Sequence, residues 1–140
     1  MTSIDWSSLE AAALAARGRA YAPYSRYHVG AALLDDAGRV HAGCNVENAS
    51  YGLTICAERG AVMKMVSEGG RRVVAVVVVT GGDEAGSPCG ACRQVLAELA
   101  GDAPVRMLAV DPAGQETQRV DSSVDALLPR AFRGSLVTGA

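Results

Sequence analysis

Three cysteines have the neighbours and the spacing of a metal site. Cys56 stands in the segment Cys56-Ala-Glu-Arg59, and Cys89 and Cys92 stand in Pro88-Cys-Gly-Ala-Cys-Arg-Gln94. Each group falls in the first turn of an expected helix, where unpaired N–H groups and the helix dipole favour thiolate over thiol. The two-residue gap between Cys89 and Cys92 lets both sulfurs reach one ion. Three thiolates without an evident fourth protein ligand indicate zinc with one position open for water.

Glu58 favours a catalytic over a structural zinc site. It lies two residues after Cys56 on the same helical turn, near enough to hydrogen-bond a water at the open position and to move its proton. Three thiolates on a divalent ion leave a net negative charge, which opposes ionisation of that water. We expect Arg59 and Arg93 to donate hydrogen bonds to the sulfurs and to offset this charge.

Simpler interpretations of the cysteines remain open at this point. A single Cys-X-X-Cys pair is also found in redox-active and purely structural sites. The combination of Cys56-Ala-Glu58 with Pro88-Cys-X-X-Cys92, each at the start of a helix, is far more specific. Cys44 can supply a fourth thiolate and close the site, but we interpret it as a small core residue, because free cysteine is often buried.

The elements that must position these residues follow from hydrophobic periodicity and from turn residues. Helices are expected over 6–20, capped by Asp5 or Ser7, over 55–68, capped by Thr54, over 88–101, and over 125–132, where Pro129 breaks the last helix. Strands are expected over 27–34, 39–45, 73–80, 105–110 and 116–120. Both cysteine segments therefore open helices.

The connections between the strands determine the fold class. Turns at 35–38 and 111–114 predict antiparallel hairpins. The strand over 73–80 is reached and left through a helix, which predicts crossovers and parallel pairing at the centre of the sheet. The fold class is therefore α/β: a three-layer α/β/α sandwich with a mixed five-stranded sheet and helices on both faces. We expect one domain over 1–140, with its core over about 6–132 and a loose C-terminal tail.

Composition argues against several classes of protein. The 140 residues are 49% hydrophobic and 20% charged, which favours a folded core over disorder. With 13 basic and 15 acidic residues, the net charge of −2 argues against a protein held to nucleic acid through phosphates. No apolar run approaches the roughly 20 residues that span a bilayer, and the first six residues lack the features of a signal peptide. We expect a cytoplasmic protein without nucleic-acid or membrane partners.

The motifs together resemble a known family. Cys-X-Glu followed by Pro-Cys-X-X-Cys is the signature of zinc-dependent deaminases. Over residues 6–132 the chain is similar to the small homotetrameric cytidine deaminases of the cytidine/deoxycytidylate deaminase family. The similar segments are Ala22-Pro-Tyr-Ser25, Val29-Gly-Ala-Ala-Leu33, Gly43-Cys-Asn-Val-Glu-Asn-Ala-Ser-Tyr-Gly52, Cys56-Ala-Glu-Arg59, Pro88-Cys-Gly-Ala-Cys-Arg-Gln94, and Leu127-Leu-Pro129 with Phe132. The resemblance implies one zinc ion per subunit on Cys56, Cys89 and Cys92, with Glu58 as the catalytic residue.

The resemblance also implies how a nucleoside is held. Asn45 and Glu47 match residues that bind the ribose hydroxyls, and an amide and a carboxylate two apart on a strand do point to the same side. The backbone of Ala57 matches the contact to the pyrimidine carbonyl, which an N–H at a helix N-terminus can make.

Three aromatic residues complete the implied pocket. Tyr27 matches a position against the base where the family usually has Phe, so that its added hydroxyl needs a partner or water. Tyr51 and Phe132 match residues that similar enzymes contribute to the pocket of a neighbouring subunit. The expected partner is therefore a further copy of this chain, in a homotetramer. His28 and His41 match no catalytic position.

The implied reaction is hydrolytic deamination of cytidine and 2′-deoxycytidine to the uridine nucleosides, with release of ammonia, in pyrimidine salvage. A deaminase of an aminoglycosyl-nucleoside antibiotic such as blasticidin S shares the cysteine motifs, but the segment 45–50 favours plain nucleosides. A nucleic-acid editing deaminase is disfavoured by the tight turn at 111–114, where those relatives have a helix. A non-catalytic zinc-stabilised interaction module would use Cys44 as a fourth ligand and would not need Glu58.

Overall fold

Helices and strands alternate through most of residues 3–139, the part of the chain that the computed structural model describes. In chain order they are α1 (Trp6–Arg17), β1 (Gly30–Asp35), β2 (Val40–Cys44), α2 (Ala57–Ser67), β3 (Val73–Gly81), α3 (Gly90–Ala100), β4 (Pro104–Val110), β5 (Glu116–Ser123), α4 (Val124–Leu127) and α5 (Ser135–Thr138). A single 3-10 turn, Tyr51–Leu53, precedes α2. Residues 1, 2 and 140, the ends of the expected domain, lie outside the described residues. Within those residues, every helix is too short or too polar to cross a bilayer.

The five strands form one mixed sheet in the order β2-β1-β3-β4-β5. Three of the four pairings are antiparallel, and β3 with β4 is parallel. The expected parallel pairing at the centre is therefore right for β3 with β4 and wrong for β3 with its other neighbour, β1. Because β1 is antiparallel to both β2 and β3, these two strands run in the same direction. The crossover through α2 thus joins parallel strands with β1 inserted between them.

Helices cover both faces of the sheet, as the sequence predicts. On one face Leu9 and Ala13 of α1 pack against a cluster that includes Val77 of β3. On the other face α2 and α3 contribute Met65 and Leu96 to a second cluster. Each large apolar side chain that is fully buried in such a layer contributes about 1.5–3 kcal/mol. The valine run of β3 feeds both layers in alternation, which explains why it is hydrophobic throughout.

The turns of both hairpins are stabilised in the same way, by an aspartate side chain that accepts backbone N–H groups. The Asp35 carboxylate accepts the backbone N–H groups of Ala37 and Arg39, and Asp111 accepts those of Ala113 and Gln115, all at 2.9 Å. The fourth residue of each turn is a glycine with positive φ, +83° at position 38 and +84° at position 114. Such a φ is unstrained only for glycine. These turns fix the antiparallel pairs that the sequence predicts.

The buried carboxylate of Asp35 also binds His41. The two side chains are fully buried, and His41 Nε2 lies 2.8 Å from Asp35 Oδ2. Burial alone raises the pKa of Asp35, but the hydrogen bonds from His41 and from the turn backbone outweigh it and lower the pKa to about 2. His41 Nδ1 lies 3.0 Å from Oε2 of Glu68, the residue that follows α2, so His41 links the hairpin to the end of α2 that is remote from the cysteines.

Element boundaries near the cysteines differ from the expected ones. The second helix begins at Ala57, with Cys56 rather than Thr54 at the N-cap. The reason is that Ile55 exchanges both backbone hydrogen bonds with Val46, which keeps the chain extended up to Cys56. The third helix begins at Gly90, with an extended Cys89 at its N-cap. Two cysteines thus occupy N-cap positions.

The chain termini show smaller differences. Asp5, one of the two expected caps, accepts the N–H of Ser8, and α1 ends at Arg17 rather than near Ala20. The helix expected over 125–132 is α4, which ends at Leu127, before Pro129. The tail that we expected to be loose forms one turn of helix, α5, without a buried residue.

The position of α2 against the sheet depends on Gly43. A Cβ on this residue would lie 2.6 Å from the backbone N of Ala61 and 2.7 Å from the backbone O of Ala57. Cβ atoms do not approach backbone atoms so closely, so α2 and β2 can touch only where β2 has glycine. The N-terminal turn of α2, with Cys56 and Glu58, is held at its depth by this contact.

We expect Gly43→Ala to lower the free energy of unfolding by about 1–3 kcal/mol, as overpacking does, and to reduce zinc binding because α2 moves outward. The matched control is Gly60→Ala in α2 itself, where a Cβ would meet only Cys44 O at 3.8 Å. That change is expected to raise stability by up to about 1 kcal/mol. Denaturant unfolding and zinc content measure both variants, and equal effects of the two alanines would contradict the interpretation.

Candidate functional site

Three cysteine sulfurs meet where α2 and α3 begin. Cys56 and Cys89 are the N-cap residues of the two helices, and Cys92 lies in the first turn of α3. The sulfur atoms all lie within 4.8 Å of one another, and Cys56 Sγ is 3.7 Å from Cys89 Sγ. Because β2 and β3 run in the same direction, the helices that follow them start at the same edge of the sheet. Residues 33 positions apart in sequence thereby become neighbours.

The geometry of the three sulfurs fits zinc. A tetrahedral ion about 2.3 Å from each sulfur requires sulfurs about 3.8 Å apart, close to the observed separation of Cys56 and Cys89. Cys44 is half-buried and does not belong to this group of ligand atoms. Three thiolates at the positive ends of two helices leave one of four positions for a non-protein ligand. Such an open site is typical of catalytic zinc.

The charge of the sulfurs is balanced by Arg59. Its Nη2 donates to Cys56 Sγ at 3.3 Å. Hydrogen bonds from the Cys92 thiol, from Arg59 and from Cys89 lower the pKa of Cys56 to about 5. The same bond to Cys56, together with burial, raises the pKa of Cys92. Because a cysteine binds a metal ion as the thiolate, binding of a divalent ion releases the protons that the thiols still carry.

The expected contact between Arg93 and a sulfur is wrong. Arg93 donates instead to Pro88 O at 2.7 Å, to Leu127 O at 2.6 Å and to Ser87 Oγ at 2.6 Å. All three acceptors are oxygen atoms, and none is a sulfur. Arg93 thus ties the segment before Cys89 to the end of α4 and supports the metal ligands only through the backbone.

Glu58 lies buried beside the cysteines. It is 5% exposed, and its side chain lines the same cavity as Cys56 and Cys89. Burial raises the pKa of Glu58 to about 7, with a contribution from Cys56 and against the opposing effects of a backbone hydrogen bond and of Arg59. A carboxyl group with a pKa near neutrality can both accept and return a proton at physiological pH.

Two adjoining cavities extend from the sulfurs toward the surface. The inner cavity is bounded by Tyr27, Asn45 and Ala57 in addition to Glu58 and the cysteines. The outer cavity is bounded by Tyr24, Ser25, Glu47, Tyr51 and Thr54. Thr54 lines both, so the two cavities are neighbours. The residues expected to hold the base thus line the inner cavity, while the expected sugar-binding residues divide between the two.

The side chains of Asn45 and Glu47 form hydrogen bonds with backbone groups of the same chain. The buried amide of Asn45 donates to Tyr27 O at 2.7 Å and accepts from Val29 N at 2.9 Å. The Glu47 carboxylate accepts from the backbone N of Tyr24 at 2.9 Å and of Ser25 at 3.1 Å. Each side chain keeps hydrogen-bonding capacity for a further group, since an amide has two donors and a carboxylate about four lone pairs.

Tyr51 and Phe132 are both exposed. Tyr51 is 73% exposed and packs edge-on against Tyr24, with ring centroids 5.7 Å apart. Phe132 is 59% exposed and lies on neither cavity. Its backbone O accepts from Gln94 Nε2 at 2.8 Å, which fixes its place beside α3. The structure therefore brings Tyr51 but not Phe132 to the cavities of its own chain.

Thr54 and Ser25 are site residues that the sequence analysis missed. Thr54 was assigned to a helix cap, but it lies between the two cavities. Ser25 belongs to the quoted segment Ala22–Ser25, which carried no role. The sequence did contain a signal for Ser25. It stands two residues before Tyr27, and at this spacing a serine hydroxyl can accept the backbone N–H of the later residue.

Comparisons with known proteins agree on one family. Residues 5–108 match the model of the cytidine and deoxycytidylate deaminase zinc-binding region. A cytidine deaminase of Mycobacterium tuberculosis (strain CDC 1551 / Oshkosh) is 51% identical over 111 residues, which cover 76% of this chain and 84% of that protein. A cytidine deaminase of Halalkalibacterium halodurans is 50% identical over 130 residues, which cover 92% of this chain and 95% of that protein.

Solved structures give the same result. The crystal structure of cytidine deaminase from Burkholderia pseudomallei matches with a TM-score of 0.82 and 44% identity, covering 92% of this chain and all of that one. The structure from Mycobacterium leprae matches with a TM-score of 0.75 and 41% identity, covering 91% of this chain and all of that one.

We expect the purified protein to hold one zinc ion per chain and Cys89→Ser to lose most of it, because a hydroxyl replaces a thiolate ligand. Cys44→Ser is the matched control and should keep the full zinc content, since Cys44 is outside the cluster. Elemental analysis after dialysis measures both variants. Loss of zinc from Cys44→Ser would indicate a closed four-thiolate site and would contradict the assignment.

Proposed function

The chain belongs to the cytidine and deoxycytidylate deaminase family, and on this premise we propose that it catalyses the hydrolytic deamination of cytidine and of 2′-deoxycytidine. The observation that carries the proposal is the buried carboxyl of Glu58, on the same cavity as Cys56 and Cys89. Three sulfur ligands alone would also serve a structural ion. A carboxyl group with a pKa near neutrality beside an open metal position supports proton transfer during hydrolysis.

Cys56, Cys89 and Cys92 are the residues that would hold the zinc ion. When bound, zinc would act as a Lewis acid that lowers the pKa of water toward about 7. Arg59 stabilises the thiolate of Cys56 through its hydrogen bond and so reduces the negative charge that the ligands place on the site. The helix N-termini contribute in the same direction.

Glu58 moves the protons of the reaction. Its carboxylate takes a proton from the attacking water and passes it to ring N3, while the oxygen bonds to C4. It then carries the second proton to the amino group, the C4–N bond breaks, and ammonia leaves. One water is consumed for each nucleoside, and Glu58 ends in its starting state. A group that alternates between acid and base works best with a pKa near the working pH, which burial provides here.

The chain's other pocket residues hold the nucleoside. The N–H of Ala57, at the first position of α2, has no partner within the helix and donates to the pyrimidine carbonyl. The ring of Tyr27 packs against the base. Asn45 and Glu47 use their remaining donors and lone pairs for the sugar hydroxyls. These contacts suit a free nucleoside, which supports the proposal that the enzyme serves pyrimidine salvage in the cytoplasm.

A homotetramer completes the pocket in this proposal. Tyr24 and Tyr51, which line the outer cavity, are exposed, and so are Val46 and Leu53, which are close to these lining residues in sequence. Grouped apolar exposure of this kind marks an interface. Neighbouring copies of the chain would cover this exposed surface. Each copy would contribute its Tyr51 and Phe132 to the pocket of a neighbouring copy. The proposal rests on this exposure and on the family to which the chain belongs.

We expect Glu58→Gln to keep zinc and fold but to lower kcat by about 10²–10⁴-fold, because the amide cannot carry a proton. The assay follows the loss of cytidine absorbance and the release of ammonia. Glu84→Gln, at an exposed position outside both cavities, is the matched control and should retain full activity. Near-normal turnover by the Glu58 variant would exclude Glu58 as the proton carrier.

Mixing two impaired variants tests the shared pocket. Phe132→Ala should lower kcat/KM at least about tenfold, as truncation of a central interface aromatic does. When it is co-expressed with Glu58→Gln, mixed tetramers contain pockets with both residues intact, and activity should rise above the sum of the two variants alone. Gel filtration checks that four chains assemble. Strictly additive activity would show that each chain forms its pocket alone.

A further inference from the structure

We propose that Ser25 is a positioning residue for deamination, because it links the carboxylate of Glu47 to the backbone of Tyr27. Through this link the residue that binds the sugar also sets the ring that packs against the base. The inference rests on the proposed function and deepens it. Ser25 need not touch the substrate for this role.

The link consists of two consecutive hydrogen bonds. The Ser25 hydroxyl donates to Glu47 Oε2 and accepts the backbone N–H of Tyr27 at 3.0 Å. The other carboxylate oxygen, Oε1, accepts the backbone N–H of Ser25 at 3.1 Å. Both oxygens of Glu47 therefore hold the segment before Tyr27. A serine hydroxyl is suited to this place because it donates and accepts at once.

Asn45 holds Tyr27 from its other side. The Asn45 amide donates to Tyr27 O at 2.7 Å and accepts from Val29 N at 2.9 Å. Asn45 is 7% exposed, and its two bonds fix the orientation of the amide, since only the oxygen can accept. The N–H and the C=O of Tyr27 are thus both bound, directly or through Ser25, by the Asn-X-Glu pair.

Tyr27 needs these bonds because no strand holds it. β1 begins only at Gly30. The residue before Tyr27, Arg26, has a φ of +58°, a conformation that costs energy for residues other than glycine. The Tyr27 ring itself is 47% exposed, so packing fixes it only in part. Side-chain hydrogen bonds replace the missing strand pairing.

The bond between Ser25 and Glu47 is charge-assisted. The hydrogen bond from the Ser25 hydroxyl, with those from the backbone of residues 24 and 25, lowers the pKa of Glu47. The carboxylate is therefore ionised at neutral pH, and hydrogen bonds to ionised acceptors are about twice as strong as neutral ones. A sugar hydroxyl that binds Glu47 joins the same network and reinforces the placement of Tyr27.

A double-mutant cycle on cytidine deamination tests the link. Ser25→Ala should lower kcat/KM about tenfold, the effect of one hydrogen bond to a charged group, with zinc content and melting temperature unchanged. In a Tyr27→Ala background the same substitution should have little further effect, because the ring that Ser25 positions is gone. A merely structural serine would give the same loss in both backgrounds. Ser67→Ala, at an exposed serine near the end of α2, is the control for the substitution itself.

Two results would overturn the inference. One is an unchanged kcat/KM in Ser25→Ala, and the other is an equal loss in the presence and absence of the Tyr27 side chain. If zinc-loaded wild-type protein converts cytidine and either result is found, only the role of Ser25 fails. If the zinc-loaded wild-type protein does not convert cytidine at all, the proposed function fails and the inference with it.

Discussion

The site depends on two helices that start at one point. α2 follows β2 and α3 follows β3, and these strands run in the same direction, so both helix N-termini face the same edge of the sheet. Each N-terminus brings unpaired N–H groups and partial positive charge. The partial positive charge of the backbone there offsets part of the negative charge that Cys56, Cys89 and Cys92 bring to a metal site as sulfur ligands. β1 lies between β2 and β3 and runs antiparallel to both, so the amino end of β1 lies beside the carboxyl ends of β2 and β3. The segment with Tyr27, which precedes β1, therefore reaches the same edge of the sheet.

Burial separates the roles of the charged groups around this point. Arg59 reaches Cys56 and favours its ionised form, whereas burial of Glu58 has the opposite effect on its carboxyl and raises the pKa to about 7. One acidic group is thereby prepared to bind a cation and the other to exchange a proton. The surroundings reverse the usual order of the two residue types, so that the thiol of Cys56 has a lower pKa than the carboxyl of Glu58. Gly43 contributes to it, because the depth of α2 sets how far Glu58 is removed from solvent.

The sequence was sufficient where a property is local and insufficient where it depends on a distant partner. Three local patterns were sufficient. The cysteine motifs predict the sulfur cluster, the two Asp-X-X-Gly turns predict the hairpins, and the valine run of β3 predicts a sheet covered on both faces. The contact of Arg93 was wrong because its acceptors come from the segment before Cys89 and from Leu127, far along the chain. The first strand was placed three residues early because the alternation at 27–29 resembles a strand, while the Asn45 side chain binds that backbone instead. The neighbours of β3 likewise depend on the position of β1 in the sheet. The hydrophobic periodicity of a strand does not specify which strands lie beside it.

Exposure divides the pocket into a part that one chain completes and a part that it leaves open. Glu58 and Cys92 are almost fully buried within a single chain, and Ala57 beside them is inaccessible. These three residues therefore have their environment before any assembly, whereas Cys56 is half-buried and Cys89 is exposed. Tyr51 and Phe132 are exposed, and the outer cavity that Tyr51 lines is open. Proton transfer needs a fixed, water-poor environment at the reacting atom, whereas the sugar needs only to be enclosed once it is bound. In the proposed tetramer, assembly would thus govern how well a nucleoside is held, while the fold of each chain would govern how fast it reacts.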